Sequence, residues 1–542
     1  MINFRNGTNL SALQQVKVAI NHAASNERRD ELNIVLSKGK RIDRACMGRI
    51  ENFLRWNPRI TMLSFRDYEW YTEEGRGGGG DDTAFTRLCT FLAEPTSCCC
   101  LSQLNLEGWS IGNEYLGQLV EAMRTNTSIS RLNLRGNVIM GAKGGRLLGA
   151  LLRHMDSPEA LAISASRHLG LDGIREFFHA LRGAQNLEKL RLYVSDCYLQ
   201  EDEIHAMAEG LHGSTVVFHT LSLGGNNIPG RAILDFIRIA KCLRVQTLGL
   251  NFNARFFRSV RQVGSEVFFN AIYHSPIIEL SLAGALRVCA DGMRIVTTLL
   301  SNEKLQRLNL RWNDGLFDDI EAVTEFTDAL TQNIGLRELD LGGCDIKGKP
   351  ALILLQNIPN YQALHTLNLV QNNLFRFPMD EAYNKTLLQA LRKMRLVRLA
   401  CDVSWHALGH QEVVDALEDN TYVQDLSLSD PHDTTTQSSF PRIVNLLARN
   451  KALARARSLP VESPNNPTLR AVLVQSIYEF SQDSFGVSAV YEIACHKLVP
   501  PFCHGRAIPD KDHGVRRRRR HGRRRDLRMK MLTVLSCTFR RR

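Results

Sequence analysis

Two cysteine–histidine pairs late in the chain, Cys495-His496 and Cys503-His504, are residue types that zinc accepts, thiolate beside imidazole. Their spacing matches no zinc-finger or zinc-ribbon pattern, and they read as ordinary structural residues. Cys98, Cys99 and Cys100 are contiguous, and alternate residues of an extended chain point in opposite directions, so the three do not easily face one ion. Neither the glycines at 75 and 77–80 nor the stretch Gly141-Ala-Lys-Gly-Gly-Arg146 completes G-x-x-x-x-G-K-[ST], the loop that cradles phosphates. No G-x-S-x-G elbow presents a nucleophilic serine, and His179 and His205 read as solvent-facing helix residues. The chain is therefore expected to be no enzyme and to take neither metal, cofactor nor small-molecule substrate.

Binding chemistry is better represented. Arg307, Arg311 and Trp312 form one group, Lys189, Arg191 and Tyr193 a second, and Phe252 stands near the middle of the chain. Exposed aromatics and arginines are the residues that anchor protein interfaces, which makes these seven the expected contacts to a protein partner. A third set is purely electrostatic: Arg516, Arg517, Arg518, Arg519, Arg520, Arg523, Arg524 and Arg525. Of the 68 lysines and arginines, 15 follow His504, against 3 of the 56 acidic residues; residues 1–504 carry 53 of each. The net charge of +12 thus belongs to the last 38 residues. Such a tail suits an import receptor or nucleic acid through Coulomb attraction and counterion release, and with Phe539 as its one aromatic it is poorly equipped to stack on bases.

The elements that must position these residues repeat. Leu101, Leu104 and Leu106 open a stretch in which Leu116, Leu119, Val120 and Met123 follow at helical spacing, and Ile129, Leu132 and Leu134 then restore the opening pattern. With the middle leucine as marker the ladder runs Leu104, Leu132, Leu161, Leu190, Leu221, Leu248, Leu280, Leu308, Leu339, Leu367, Val397 and Leu426, in steps of 27 to 32 residues. Leu63 adds an earlier copy, Leu32 a degenerate one, and Leu453, Ala456 and Ser458 a worn strand at the end. One such strand and helix cannot bury a core alone; stacked copies can.

This ladder resembles the leucine-rich repeat family, and the long step with a full helix resembles its ribonuclease-inhibitor-like class. The resemblance implies an α/β solenoid, a horseshoe with parallel strands on the concave face and helices on the convex face. It also implies that Asn137, Asn226, Asn253, Asn313 and Asn372, with Cys344 in the same place, hydrogen-bond the turns after their strands. Trp109, Ser166, Ser195, Ala285, Asp402 and Pro431 depart from that pattern. The expected organisation is a helical cap over 1–29, about thirteen or fourteen repeats over 30–460 with a glycine-rich insertion near 72–100, a helical cap over 461–504 and an arginine-rich tail over 505–542. In the resulting sheet the residues between the leucines face outward, which places the partner on the concave face. The repeat step also resembles the Ran GTPase-activating proteins, which implies regulation of a small GTPase as an alternative; the tail of that family is acidic, whereas this one is basic. A second alternative is a nucleic-acid-associated adaptor acting through the tail.

No apolar run reaches the length of a membrane span, and the first residues lack the basic and apolar regions of a secretory signal. Thirteen cysteines, an odd number with several at repeat positions, fit a reducing compartment, cytoplasmic or nuclear.

Overall fold

The computed structural model describes residues 10–458 apart from 27–29, 37–41, 68–81, 95–99, 213–217, 241–244, 258–271, 373–380, 403–407, 429–440 and shorter stretches between 183 and 290. The glycine-rich stretch at 75–80, Cys98 and Cys99, both late Cys-His pairs, the expected C-terminal cap and the whole arginine-rich tail lie outside the described residues. The chain divides into two compact units, Met1–Arg376 and Phe377–Arg542.

In the first unit twelve short strands lie side by side in sequence order, every described pairing parallel. They are β1 Glu31–Leu36, β2 Met62–Asp67, β3 Gln103–Asn105, β4 Arg131–Asn133, β5 Ala160–Ala162, β6 Arg191–Tyr193, β7 Thr220–Ser222, β8 Thr247–Gly249, β9 Glu279–Ser281, β10 Arg307–Asn309, β11 Glu338–Asp340 and β12 Thr366–Leu369. Parallel neighbours need a crossover, and helices supply it wherever the connection is described in full. These are α2 Arg44–Trp56, α3 Asp82–Ala93, α4 Asn113–Met123, α5 Gly141–His154, α6 Gly170–Leu181, α7 Glu201–Leu211, α8 Gly292–Leu299, α9 Ile320–Gln332 and α10 Gly348–Asn357. Ahead of them α1, Ala12–Ser25, starts on a capping box between Ser11 and Gln14 and packs on β1 and α2. Residues 82–93, inside the expected insertion, are the helix of their own repeat and bury Phe85, Leu88, Phe91 and Leu92.

The register sets the core. Leu32, Leu63, Leu104, Leu132 and Leu161 pair in turn, then Leu192, Leu221, Leu248, Leu280, Leu308, Leu339 and Leu367, and all are buried. Each helix closes the layer from one side, as α4 does with Leu116, Leu119, Val120 and Met123. Strands pair only with sequence neighbours and helices pack chiefly on the next helix, which is the one-dimensional build of a leucine-rich repeat solenoid.

Two markers of the ladder are corrected. Leu161 pairs with Leu192, not Leu190, because Leu190, Leu192 and Val194 are all apolar at period two, and the chain takes its extra residues before the strand rather than after it. In the second unit β13 Arg398–Cys401 pairs with β14 Asp425–Leu428 through Leu399 and Leu426, so Leu399 replaces Val397. A slip of two residues keeps the buried face buried, so alternation alone cannot detect it.

The second unit also contains α11 Glu381–Lys393, α12 His410–Asp419 and α13 Pro441–Ser458. Leu453, expected in a worn strand with Ala456 and Ser458, lies in α13. The run Lys451-Ala-Leu-Ala-Arg-Ala-Arg457 has no glycine, proline or β-branched residue, and its members are strong helix formers. Arg449, buried in α13, donates to the carbonyls of Leu417 at 2.9 Å and Asn420 at 2.7 Å, where α12 ends and a cation is electrostatically favoured.

Candidate partner interface

The asparagine ladder is structural throughout. Asn313 donates from Nδ2 to the carbonyls of Leu282 at 3.0 Å and Leu310 at 2.8 Å, and its Oδ1 accepts from the Leu286 N–H at 2.7 Å. Asn137, Asn226, Asn253 and Asn372 do the same between their own pairs of repeats. Cys344 takes this place with its thiol on the Leu310 carbonyl. The register shift gives Cys197, and not Ser195, the same role on Ile163. Burial pushes both thiols up to about 12, so neither supplies a thiolate at neutral pH. A second asparagine position is structural as well: Asn126, Asn333 and Asn420 follow a helix, each donating to a carbonyl near the end of the preceding helix and accepting from the N–H three residues on.

Several charged groups elsewhere are held in ion pairs. Between α2 and α3 a groove is lined by arginines, threonines and carboxylates, with Arg87 Nε 2.8 Å from buried Glu51 and Arg55 Nη2 2.6 Å from Glu94. His179 is exposed. His205 is exposed too, with Asp235 at 3.1 Å and Glu209 at 3.4 Å; the Asp235 hydrogen bond raises its pKa. Among the described residues no three His, Cys, Asp or Glu side chains are grouped to hold a metal ion, and no helix is long and apolar enough to cross a membrane.

The residues at the third position of β3 to β12 read Asn105, Asn133, Ala162, Tyr193, Ser222, Gly249, Ser281, Asn309, Asp340 and Asn368. Tyr193 takes the place expected for Arg191, which lies two residues earlier at the strand start, and Lys189 falls in the turn before β6. Several of the column's polar residues finish the strand: Asn309 Oδ1 accepts from the Arg311 N–H and Asp340 Oδ1 from that of Gly342, each at 3.0 Å.

Beyond them the chain turns with a left-handed residue in each repeat: Gly108, Gly136, Ala165, Asp196, Gly225, Phe252, Gly284, Trp312, Gly343 and Gln371. Glycine adopts that backbone freely, whereas a bulky residue there costs about 1–3 kcal/mol. Phe252 at φ 57° and Trp312 at φ 60° carry that strain with 54% and 40% of their surface exposed. Their rings lie over the glycine of the next turn: a methyl group at Gly284 would overlap the Phe252 ring, and one at Gly343 the Trp312 ring. Backbone bonds fix the turns, from Phe252 N to Ala283 O, Gly284 N to Arg311 O, Trp312 N to Gly342 O and Gly343 N to Val370 O, at 2.7 to 2.9 Å.

Arg311 joins this rim, with its guanidinium carbon 5.5 Å from the Trp312 ring centre, Nη2 donating to Gln371 Oε1 at 2.8 Å and Nη1 3.6 Å from Asp340. Arg307 does not join it. It sits at the other end of β10, with Nη2 2.9 Å from Glu279. The expected group of Arg307, Arg311 and Trp312 is therefore split, and Phe252 takes the place of Arg307 beside the other two along the rim.

No protein-family model matches the chain, and no curated protein matches it. Among solved structures it is similar to the leucine-rich repeat-containing protein LegL7 from Legionella pneumophila, at 18% identity, covering 54% of this chain and 90% of that one with a TM-score of 0.37. The Rad7 and Elc1 complex of yeast is similar at 14% identity over 66% and 83%, TM-score 0.38. The actin-binding site 2 of leiomodin-1 matches at 19% over 30% and 90%, TM-score 0.25. These likenesses carry nothing about binding here; the repeat fold stands on the strand register itself.

Proposed function

We propose that the chain is a non-catalytic protein-binding scaffold of the ribonuclease-inhibitor-like repeat class, engaging a protein partner through the rim at Phe252, Arg311 and Trp312. One observation carries the reading. At a turn position filled by glycine in five repeats, the chain places two exposed aromatic residues and accepts the backbone strain. Strain held at an exposed site, in residues of the type that dominate interface energies, is what a binding surface would retain. Capture of partners from cells with the wild type and with Phe252→Gly/Trp312→Gly, read by quantitative mass spectrometry, tests it. Loss of the main partner from the variant is expected, and equal recovery would move the surface elsewhere. A GTPase turnover assay with and without the protein separates this reading from that of a GTPase regulator.

The charge distribution favours a second activity for residues 505–542, attachment to nucleic acid or an import receptor, in a protein of the cytoplasm or nucleus. If about five arginines contact phosphates, RNA affinity should fall with a log–log salt slope near −3.5. A 1–504 chain that binds RNA as tightly as the whole would contradict it.

A further inference from the structure

The partner's chemistry follows from the rim, if the interface is the one proposed above. We infer that the rim takes an uncharged, proline-rich segment in the polyproline II conformation. The first ground is charge. Two cations of these turns are already matched, Arg311 by Asp340 at 3.6 Å and Arg287 by Asp314 at 2.7 Å. A charged ligand would have to break a pair to make one, whereas an uncharged segment leaves both in place.

The second ground is spacing. Phe252 and Trp312 follow β8 and β10, two strand intervals apart, and the turn-to-turn hydrogen bonds carry the strand interval out to the rim. At about 4.8 Å per interval the aromatic positions recur at about 9.6 Å. A polyproline II helix turns once every three residues over about 9.3 Å, so prolines at i and i+3 on one side meet one ring each. Its backbone is extended before binding, which lowers the ordering cost on a short rim. The rings lie against the glycines of the next turn, and the surface they leave exposed is open to a pyrrolidine ring.

The test uses the full chain and two labelled synthetic peptides of identical uncharged composition, one with proline at every third position and one at every fourth. Fluorescence anisotropy should show binding of the first and at least about tenfold weaker binding of the second, with Phe252→Gly and Trp312→Gly each weakening the first by a similar factor. Thermal melting of both variants checks that they fold. Equal binding of the two peptides, binding indifferent to both variants, or no binding of either peptide would overturn the inference. If the peptides fail while the glycine variants still lose their cellular partner, the proline-rich ligand is wrong and the interface stands. If the variants keep that partner as well, both fall.

Discussion

At the scale of single residues the molecule separates side chains that hold it together from those free to act. Leu308 is buried at the centre of β10, between Leu280 and Leu339 in the register. Leu308→Ala should lower the unfolding free energy by about 2–5 kcal/mol, because rigid neighbouring layers cannot collapse into the space left. Chemical denaturation showing less than about 0.5 kcal/mol would contradict this register. The asparagines resemble a polar site only in composition. Each has spent its amide on two repeats, and what remains for recognition stands on the outward face. His205 is a graded case. Its pKa is raised above the ordinary 6.5 by Asp235, so the pair's stabilisation is fully present below about 6.5 and is lost as the pH rises through the folded value. His205→Gln should flatten that part of the pH–stability profile. An unchanged profile would show that the pair contributes nothing in solution.

At the scale of elements, α5 and α6 come together on glycine. A methyl group at Gly145 would strike the Gly173 carbonyl oxygen, and one at Gly149 the Ala180 side chain. Gly145→Ala should therefore destabilise the first unit by about 1–3 kcal/mol although alanine is the better helix former, an overpacking cost that melting would reveal. An equal or higher melting temperature would mean that the helices can part without loss. This contact shows where the sequence stopped being legible. The apolar period identifies α5 as a helix, but which of Gly141, Gly144, Gly145 and Gly149 faces a neighbour depends on the approach of α6. Strand markers failed for a related reason. Leu190 and Leu192 have the same parity, and only pairing with Leu161 chooses between them. Leu453 keeps the leucine spacing of a strand, yet the helix-forming run around it decides its conformation. The candidate site was half legible: Phe252, Arg311 and Trp312 stand out by residue type, while the split from Arg307 follows from strand length. The signal that would have found the rim was present in Gly108, Gly136, Gly225, Gly284 and Gly343, which share one repeat position with the two aromatics.

At the scale of the molecule, a solenoid spreads its stability over many similar layers, so a strained turn costs each repeat little and the exposed face can diverge from copy to copy. Most left-handed turn positions are filled by glycine or a small or polar residue; the two bulky rings sit two turns apart and are backed by glycine. Such strain persists only where the surrounding structure holds it, and a stability–function trade-off is its ordinary signature. The most direct measurement is therefore the pair of values for Trp312→Gly: its unfolding free energy by chemical denaturation and its affinity for the captured partner, taken on the same purified protein. The two should move in opposite directions, with stability unchanged or raised by up to about 1 kcal/mol and affinity lowered at least about tenfold. A variant that is less stable by more than about 1 kcal/mol yet binds as tightly as the wild type would make Trp312 a packing residue and contradict the account.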